Sequence, residues 1–416
     1  MMSSEKNMQY GLIGAKLGHS CSVAIHAQLG DYDYRLYEQT EAEFLELLSR
    51  RAFRGLNVTM PYKVLAYAHC DALSDTAKEV GCVNTLVMRP DGSLYGHNTD
   101  IGGFIALARH AGVEIAGRKT VILGSGGTSL TARAACRRLG ARQIVVISRS
   151  GPVDYAALYA NHADAQVLIN TTPVGMYPNC GEAPVSLKDF PYLTGVLDVV
   201  YNPLRTALIM DAEQRGLPCA CGLSMLVAQA KRAAELFTDT TIDDGLAGAV
   251  LAELTAQLEN IVLVGMPGCG KSTVGQVLAQ KLGKRFVDID GEIAAEAMKT
   301  IPEIFREEGE DAFRRRESLV TCRVGRETGC VISTGGGVVT RGENYFPLRQ
   351  NGVIIHLLRD LGKLPTDGRP LSQTNAPQEL WRRRAPLYAA FADLEIDNNG
   401  AVEDTVNAIM KEMNAR

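Results

Sequence analysis

The stretch that most constrains this chain runs from Ile261 to Thr273, IVLVGMPGCGKST. Apolar residues lead straight into Gly265, and Gly270-Lys271-Ser272 follow at the spacing of a P-loop. That pattern demands a buried strand, a tight glycine turn and a helix that starts at Lys271. The glycines let the backbone wrap, so that N–H groups around Gly268, Cys269 and Gly270 point at phosphate oxygens. The helix dipole favours the same anion. Lys271 adds a point charge near the β- and γ-phosphates, the Ser272 hydroxyl suits Mg²⁺, and Thr273 closes the motif. A plain glycine-rich turn shares part of this pattern but not the strand and helix together. The motif lies late in the 416-residue chain, so the residues before it need their own explanation.

A chain of 416 residues exceeds one ordinary core and predicts about two to four domains. A net charge of −4 argues against a nucleic acid or a membrane surface as partner. No apolar run is long enough to span a bilayer. The start, MMSSEKNMQYGLIGAKLG, has no apolar h-region, so the expected location is the cytoplasm. The ten cysteines form no CxxC pair and are expected as reduced thiols. The seven histidines show no metal-ligand spacing, so no zinc site is expected, and His19 and His97 are taken as structural.

Short apolar runs alternate with helical stretches, which predicts α/β layers with mostly parallel sheets. Strands are expected at YGLIGA, DYRLYEQ, GLNVTM and NTLVMR, then at KTVILGSGG, QIVVISR, QVLINTT and GVLDVVY. A helix should begin after Asp100, and DDGLAGAVLAELTAQ should be helical up to the P-loop strand. No Pro/Ser-rich spacer divides the halves, so the linker is short.

Gly124-Ser125-Gly126-Gly127-Thr128-Ser129 follows the run TVIL and precedes LTARAACRRLG. This is a GxGxx(G/A) loop, with Ser129 at the third small position. The next strand, QIVVIS, follows at βαβ distance, the setting of a dinucleotide site. An acidic residue ending that strand would bind a ribose 2′-OH. Here Ser148-Arg149-Ser150 stands instead, and a cation flanked by hydroxyls suits a 2′-phosphate, so NADP is favoured over NAD. An exposed arginine at a strand end is the bland reading.

Upstream, GHSCS, NVTMPYK, GCVNT and HNTD each cluster Ser, Thr and Asn beside apolar runs. Such clusters suit a small, hydroxyl-rich ligand, although capping by Thr99 or Asp100 would use the same residues. From about Gln9 to Gln257 the chain resembles shikimate dehydrogenase. The matching segments are HSxS at 19–22, NVTxPxK at 57–63, GxVNT at 81–85, NTDxxG at 98–103, INTTPVGM, DVVYNP and GLSMLVAQA. The resemblance implies that Ser20, Ser22, Thr59, Asn84, Asp100, Tyr201 and Gln229 hold the substrate, and that Lys63 and Asp100 are the catalytic pair. It implies that Gly124, Ser125, Gly126, Gly127, Thr128, Ser148, Arg149, Ser150, Val199 and Gly222 face the cofactor, with Asp75 at the edge of that set. Ketone reduction develops negative charge on oxygen. Lys63 can donate to that oxygen while Asp100 orients it, and a nearby anion favours the charged ammonium. The chain departs from the family at Ala15-Lys16, Val23 and Ser148, which touch loop rigidity and the adenosine side.

Past the P-loop helix, FVDID is expected to set Asp288 and Asp290 on one face of a short strand. Carboxylates there can serve a magnesium shell and accept a hydroxyl proton, though Asp290-Gly291 also reads as a turn. Arginines recur near glycine loops in GEDAFRRRE, STGGGVV, GRP and RRRAPLY. Residues 260–416 resemble shikimate kinase through these segments. The resemblance implies that Asp290 binds substrate hydroxyls and acts as base, while Arg314, Gly336 and Arg384 hold the substrate, whose carboxylate suits two guanidinium groups. It assigns Lys271 to the phosphates, Ser272 and Asp288 to Mg²⁺, and Arg369 to a lid that reaches ATP. The lid segment is shorter than is usual in the family.

The expected architecture is therefore a substrate-binding α/β lobe (1–100, completed by about 222–257), an NADP-binding Rossmann lobe (101–221) and a P-loop kinase domain with a parallel sheet (258–416). The expected function is a bifunctional shikimate-pathway enzyme. It would reduce 3-dehydroshikimate with NADPH, then phosphorylate shikimate with ATP and Mg²⁺, and a homo-oligomer is compatible with it. Two alternatives stand beside this reading: an NAD-using quinate/shikimate dehydrogenase fused to a kinase, and a non-catalytic sensor of shikimate or nucleotide.

Overall fold

The alternating runs fold into three separate sheets. The computed structural model describes residues 9–18, 20–364 and 377–416. These form two compact units. The first holds the described residues up to Leu254, apart from the loops Tyr177–Gly181 and Pro203–Ala207, which group with Thr255–Arg416 in the second. No helix among the described residues is long and apolar enough to cross a membrane.

The first sheet contains β1 (Tyr10–Gly14), β2 (Tyr34–Glu38), β3 (Gly55–Val58), β4 (Ala72–Leu73), β5 (Thr85–Met88) and β6 (Leu94–His97), in the order β2-β1-β3-β5-β6-β4. The pairing is mostly parallel, as expected, with one antiparallel strand in this first sheet. Strand β5 runs antiparallel to both β3 and β6. The RPDGS turn sets the β5–β6 pairing. Gly92 takes φ 82°, and Asp91 Oδ1 accepts from Ser93 N at 2.9 Å, closing a hairpin whose return strand the apolar pattern did not show.

The second sheet is wholly parallel. Its strands are β7 (Lys119–Leu123), β8 (Gln143–Ile147), β9 (Val167–Asn170), β10 (Gly195–Asp198) and β11 (Cys219–Ala220), in the order β11-β10-β9-β7-β8. Strand β7 is buried along its length, as a strand covered on both faces must be. The chain leaves β7 for β8 on one side and reaches β9 on the other. The carboxyl end of β7 is thus the switch point where open α/β sheets bind ligands. Helices Asp100–His110 and Leu223–Thr238 pack against each other in this unit. Their approach needs Gly103, since a Cβ there would stand 2.8 Å from Met225 O.

The second unit carries β12 (Asn260–Val264), β13 (Arg285–Asp288), β14 (Cys330–Ser333), β15 (Gly352–Leu358) and β16 (Leu394–Asp397), all parallel, in the order β13-β14-β12-β15-β16. Central β12 delivers the P-loop onto the helix Lys271–Leu282. The placing of Asp288 and Asp290 on one strand face is corrected. Strand β13 stops at Asp288, and Asp290 lies in the first turn of the helix Ile289–Ala297. Asp288 caps that helix, accepting from Asp290 N at 3.2 Å, and an N-cap is where aspartate is most stabilising.

Candidate active sites

In the first unit, helix starts aim the reacting groups. Lys63 opens the helix Lys63–Ala68, Asp100 opens Asp100–His110, and Asn84 immediately precedes β5. Lys63 Nζ donates to Asp100 Oδ2 at 2.7 Å. The Asn84 amide donates to Asp100 Oδ1 at 2.9 Å, to Thr99 Oγ1 at 3.0 Å and to Gln229 Oε1 at 3.2 Å. Thr99 N returns a bond to Asn84 Oδ1 at 2.8 Å. Asn84 therefore holds both Asp100 and Gln229 in place. Burial pulls the Lys63 ammonium down, but the charge and hydrogen bond of Asp100 outweigh it, and its pKa is raised. The side chain stays protonated and able to donate.

Around this pair lies a cavity of about 240 Å³. It brings together Ser20, Ser22, Thr59, Lys63, Asn84, Asp100, Tyr201 and Gln229 with Thr128, Val199 and Gly222 from the set expected to face the cofactor. Ser20 Oγ donates to Ser22 Oγ at 3.0 Å, so two hydroxyls sit ready as a couple. Asp75 does not line the cavity. It is an exposed residue in the first turn of the helix Asp75–Val80. His19 lies outside the described residues.

Two polar lining residues escaped the expectations from sequence, Asn57 and His26. Asn57 accepts from Tyr34 Oη at 2.8 Å and donates to Thr85 Oγ1 at 3.1 Å. His26 bonds Tyr32 Oη through Nδ1 at 2.6 Å and stacks on Tyr34 at 3.8 Å. Burial lowers its pKa to about 3, so the cavity wall it forms is neutral. A signal was present, because His26 stands four residues after Ser22 on the helix Ser22–Leu29 and so shares its face.

The glycine loop leaves β7 with Gly124 at φ 107°, where a Cβ would meet Thr171 Oγ1 at 2.8 Å. At Gly126 and Gly127 no atom lies within 4 Å of a would-be Cβ, so the loop is open beside the start of the helix Gly127–Arg138. Ser125 and Thr128 flank those glycines, and Ser129 Oγ ties back to Gly126 O at 2.7 Å. Past the end of β8, Ser148 is buried while Arg149 and Ser150 are exposed. Gly222 admits the Val199 carbonyl, which would lie 2.2 Å from a Cβ. An open loop at the switch point, a helix N-terminus and an exposed guanidinium at the neighbouring strand end fit a phosphorylated dinucleotide.

In the second unit the P-loop glycines Gly265, Gly268 and Gly270 take φ 145°, 83° and 101°, values that disfavour side chains. Lys271 is buried, and its Nζ donates to Gly265 O at 2.9 Å and Met266 O at 3.1 Å. Cys269 is buried in the same turn, with its carbonyl accepting from Asn398 Nδ2 at 2.6 Å. Ser272 Oγ donates to Asp288 Oδ2 at 2.8 Å and lies 3.1 Å from Ser333 Oγ. This all-oxygen set suits a hard cation such as Mg²⁺, which keeps much of its water. Thr273 follows in the first helical turn.

Beside the loop, Asp290 has a buried Oδ1 with no hydrogen-bond partner among the described residues. Burial first, then the charges of Glu317 and Asp288, raise its carboxyl to about 6. Arg314 Nη1 donates to the fully buried Glu317 at 2.7 Å, and Arg384 Nη1 donates to Gly336 O at 3.0 Å. Glycine is required in the 335–337 loop. A Cβ on Gly335 would stand 2.5 Å from Glu317 Oε1 and 2.8 Å from Asp290 Oδ1, and one on Gly337 would strike the Arg314 guanidinium. Glu317 and Tyr388, whose hydroxyl donates to Gly336 O, were not singled out in the sequence although they end the segments GEDAFRRRE and RRRAPLY. Arg369 lies outside the described residues.

Comparison with known proteins finds a family match in each half of the chain. Residues 12–86 match the family described as shikimate dehydrogenase substrate binding domain, and residues 267–414 match shikimate kinase. The chain is 35% identical over 266 residues to a shikimate dehydrogenase (NADP(+)) of Clostridium perfringens (strain SM101 / Type A), covering 59% of this chain and 97% of that protein. It resembles the crystal structure of a chorismate mutase/shikimate 5-dehydrogenase fusion protein from Clostridium acetobutylicum (32% identity, TM-score 0.56, 60% of this chain and 97% of the other). It also resembles shikimate 5-dehydrogenase from Thermus thermophilus, solved in complex with NADP(H) and shikimate (29%, TM-score 0.53, 59% and 99%). The chain therefore belongs to the shikimate dehydrogenase family and carries a shikimate kinase domain behind it, two shikimate-pathway enzymes in one polypeptide.

Proposed function

We propose that the first unit reduces 3-dehydroshikimate to shikimate with NADPH and that the second phosphorylates the new 3-hydroxyl with ATP. The observation that carries the first half is the 2.7 Å Lys63–Asp100 pair inside a cavity of neutral hydrogen-bonding groups. Ser20, Ser22, Thr59, Asn84, Tyr201 and Gln229 would bind the substrate's carboxylate and hydroxyls. NADPH, held by Gly124–Thr128 and Gly222, would supply the hydride. Lys63 then donates to the ketone oxygen as charge develops, while Asp100 fixes the ammonium and takes a substrate hydroxyl. The exposed Arg149 supports NADP over NAD, which also weighs against an NAD-using quinate enzyme.

For the second half, Asp290 carries the reading: a carboxylate with a spare buried oxygen beside the P-loop. It would accept the hydroxyl proton, and Arg314 and Arg384 would clasp the substrate carboxylate. Magnesium held at Ser272, with Asp288 ordering its water, would offset phosphate charge. Lys271 would turn from its carbonyl partners to the phosphates.

A coupled assay tests the whole. Purified protein given 3-dehydroshikimate, NADPH and ATP·Mg²⁺ should yield shikimate 3-phosphate. Consumption of neither NADPH nor ATP would leave the non-catalytic sensor as the better reading.

A further inference from the structure

Arg359 stands directly after β15 and is partly buried. Its Nε is shut off from solvent, and its guanidinium has no hydrogen-bond or ion-pair partner among the described residues. Two other shielded arginines of this unit, the buried Arg314 and the partly buried Arg349, are ion-paired. Arg314 holds Glu317 at 2.7 Å, and Arg349 holds Asp393 at 3.1 Å. A cation removed from water without a counter-charge is costly, so such a group is normally completed by a ligand.

What Arg359 does approach is the P-loop. Its Nη1 lies 3.5 Å from where a Cβ would stand on Gly270, next to the Asn398 carboxamide at 2.7 Å. That carboxamide is already committed to Cys269 O, and Thr405 Oγ1 donates to its oxygen at 2.7 Å, so Asn398 is a fixed wall. Gly270 immediately precedes the helix Lys271–Leu282, so the guanidinium borders the turn whose N–H groups and helix dipole already favour an anion. A forked cation there can grip phosphate oxygens in a bidentate manner that Lys271 cannot.

We propose that Arg359 binds the polyphosphate of the nucleotide, as a second cation beside Lys271, and so sets nucleotide affinity in the second unit. The proposal rests on the reading of that unit as an ATP-dependent kinase. No motif marks Arg359 in the sequence, where it is one basic residue after an apolar run.

Calorimetric titration of the full-length protein with ADP, and separately with inorganic pyrophosphate, tests this in the wild type, R359M and R359K. The Kd for both ligands should rise about tenfold or more in R359M, with partial recovery in R359K. The KM for shikimate should stay within about twofold. Unchanged ADP binding in R359M overturns the assignment and makes Arg359 a structural residue. A loss with ADP but not with pyrophosphate also overturns it, moving the contact to the adenine. If R359M does not fold, R359K decides: the ammonium lacks the fork, so weakened binding of both ligands supports the proposal and wild-type affinity refutes it. Failure of the wild type to bind ADP would remove the kinase reading as well, which separates the two failures.

Discussion

The two units hold their key carboxylates in opposite ways. Asp100 is fully engaged, with one oxygen on the Lys63 ammonium and the other on the Asn84 amide. Asp290 keeps a buried oxygen with no partner among the described residues and faces the like charges of Glu317 and Asp288. The contrast matches the chemistry each site needs. The proposed ketone reduction would need a proton donor that is charged when it acts, and a carboxylate securing the lysine suits that role. In the proposed phosphoryl transfer a hydroxyl proton would need an acceptor, and an unsatisfied carboxylate with a raised affinity for protons suits that role.

Breaking each arrangement should be felt in one activity only. Lys63→Ala should lower dehydrogenase kcat by roughly a thousandfold, the scale of general acid catalysis, and leave ATP-dependent phosphorylation of added shikimate unchanged. Asp290→Asn should cut kinase kcat by about a hundredfold or more with ADP affinity retained, and the dehydrogenase rate should not move. Steady-state assays of both activities on each variant check this, and cross-effects between the sites would break the comparison. Arg149→Ala is a smaller change at an exposed residue. It should raise the KM for NADPH about tenfold while NADH is little affected, which sharpens the cofactor assignment.

The smallest effect is on stability, which falls with rising pH at both sites but in different windows. The Asp290 carboxyl titrates at about 6 when folded, against an ordinary value of 3.8, so the folded state loses stability as pH rises through that window. Asp290→Asn should therefore stabilise the second unit at pH 8 by roughly 2–3 kcal/mol, and the gain should vanish below about pH 4. Lys63 has a raised pKa, so its pairing stabilises the fold at all lower pH and is lost only as pH climbs through that raised value. Thermal melts across pH distinguish these outcomes. A variant Asp290→Asn that melts lower at pH 8 would show that the aspartate is structural.

Much of this was legible in the sequence because the informative residues sit at element ends. The P-loop, the β7 glycine loop and the strands around them follow from apolar runs that stop at glycine. The Lys63–Asp100 pairing came from resemblance, since residues 37 apart meet only through the sheet that carries them. Other features were not legible because they depend on packing across the fold. The β5–β6 hairpin turned the first sheet partly antiparallel. Asp288 became a helix cap and moved Asp290 off the strand. Glu317 reads as one more charge on a helix, and only the fold shows it fully buried against Arg314. His26 likewise needed Tyr32 and Tyr34 in place before it became part of a cavity wall.

The contrast between a paired and an unpaired carboxylate is tested most directly by measuring kcat/KM against pH for both activities of one preparation. The kinase should gain activity as pH rises and level off above an apparent pKa near 6, the value of the free Asp290 carboxyl. The dehydrogenase should show no such limb from Lys63, which remains protonated throughout the neutral range. A kinase profile flat from about pH 5 to 8, or a dehydrogenase profile that falls near neutrality because Lys63 loses its proton, would contradict the account.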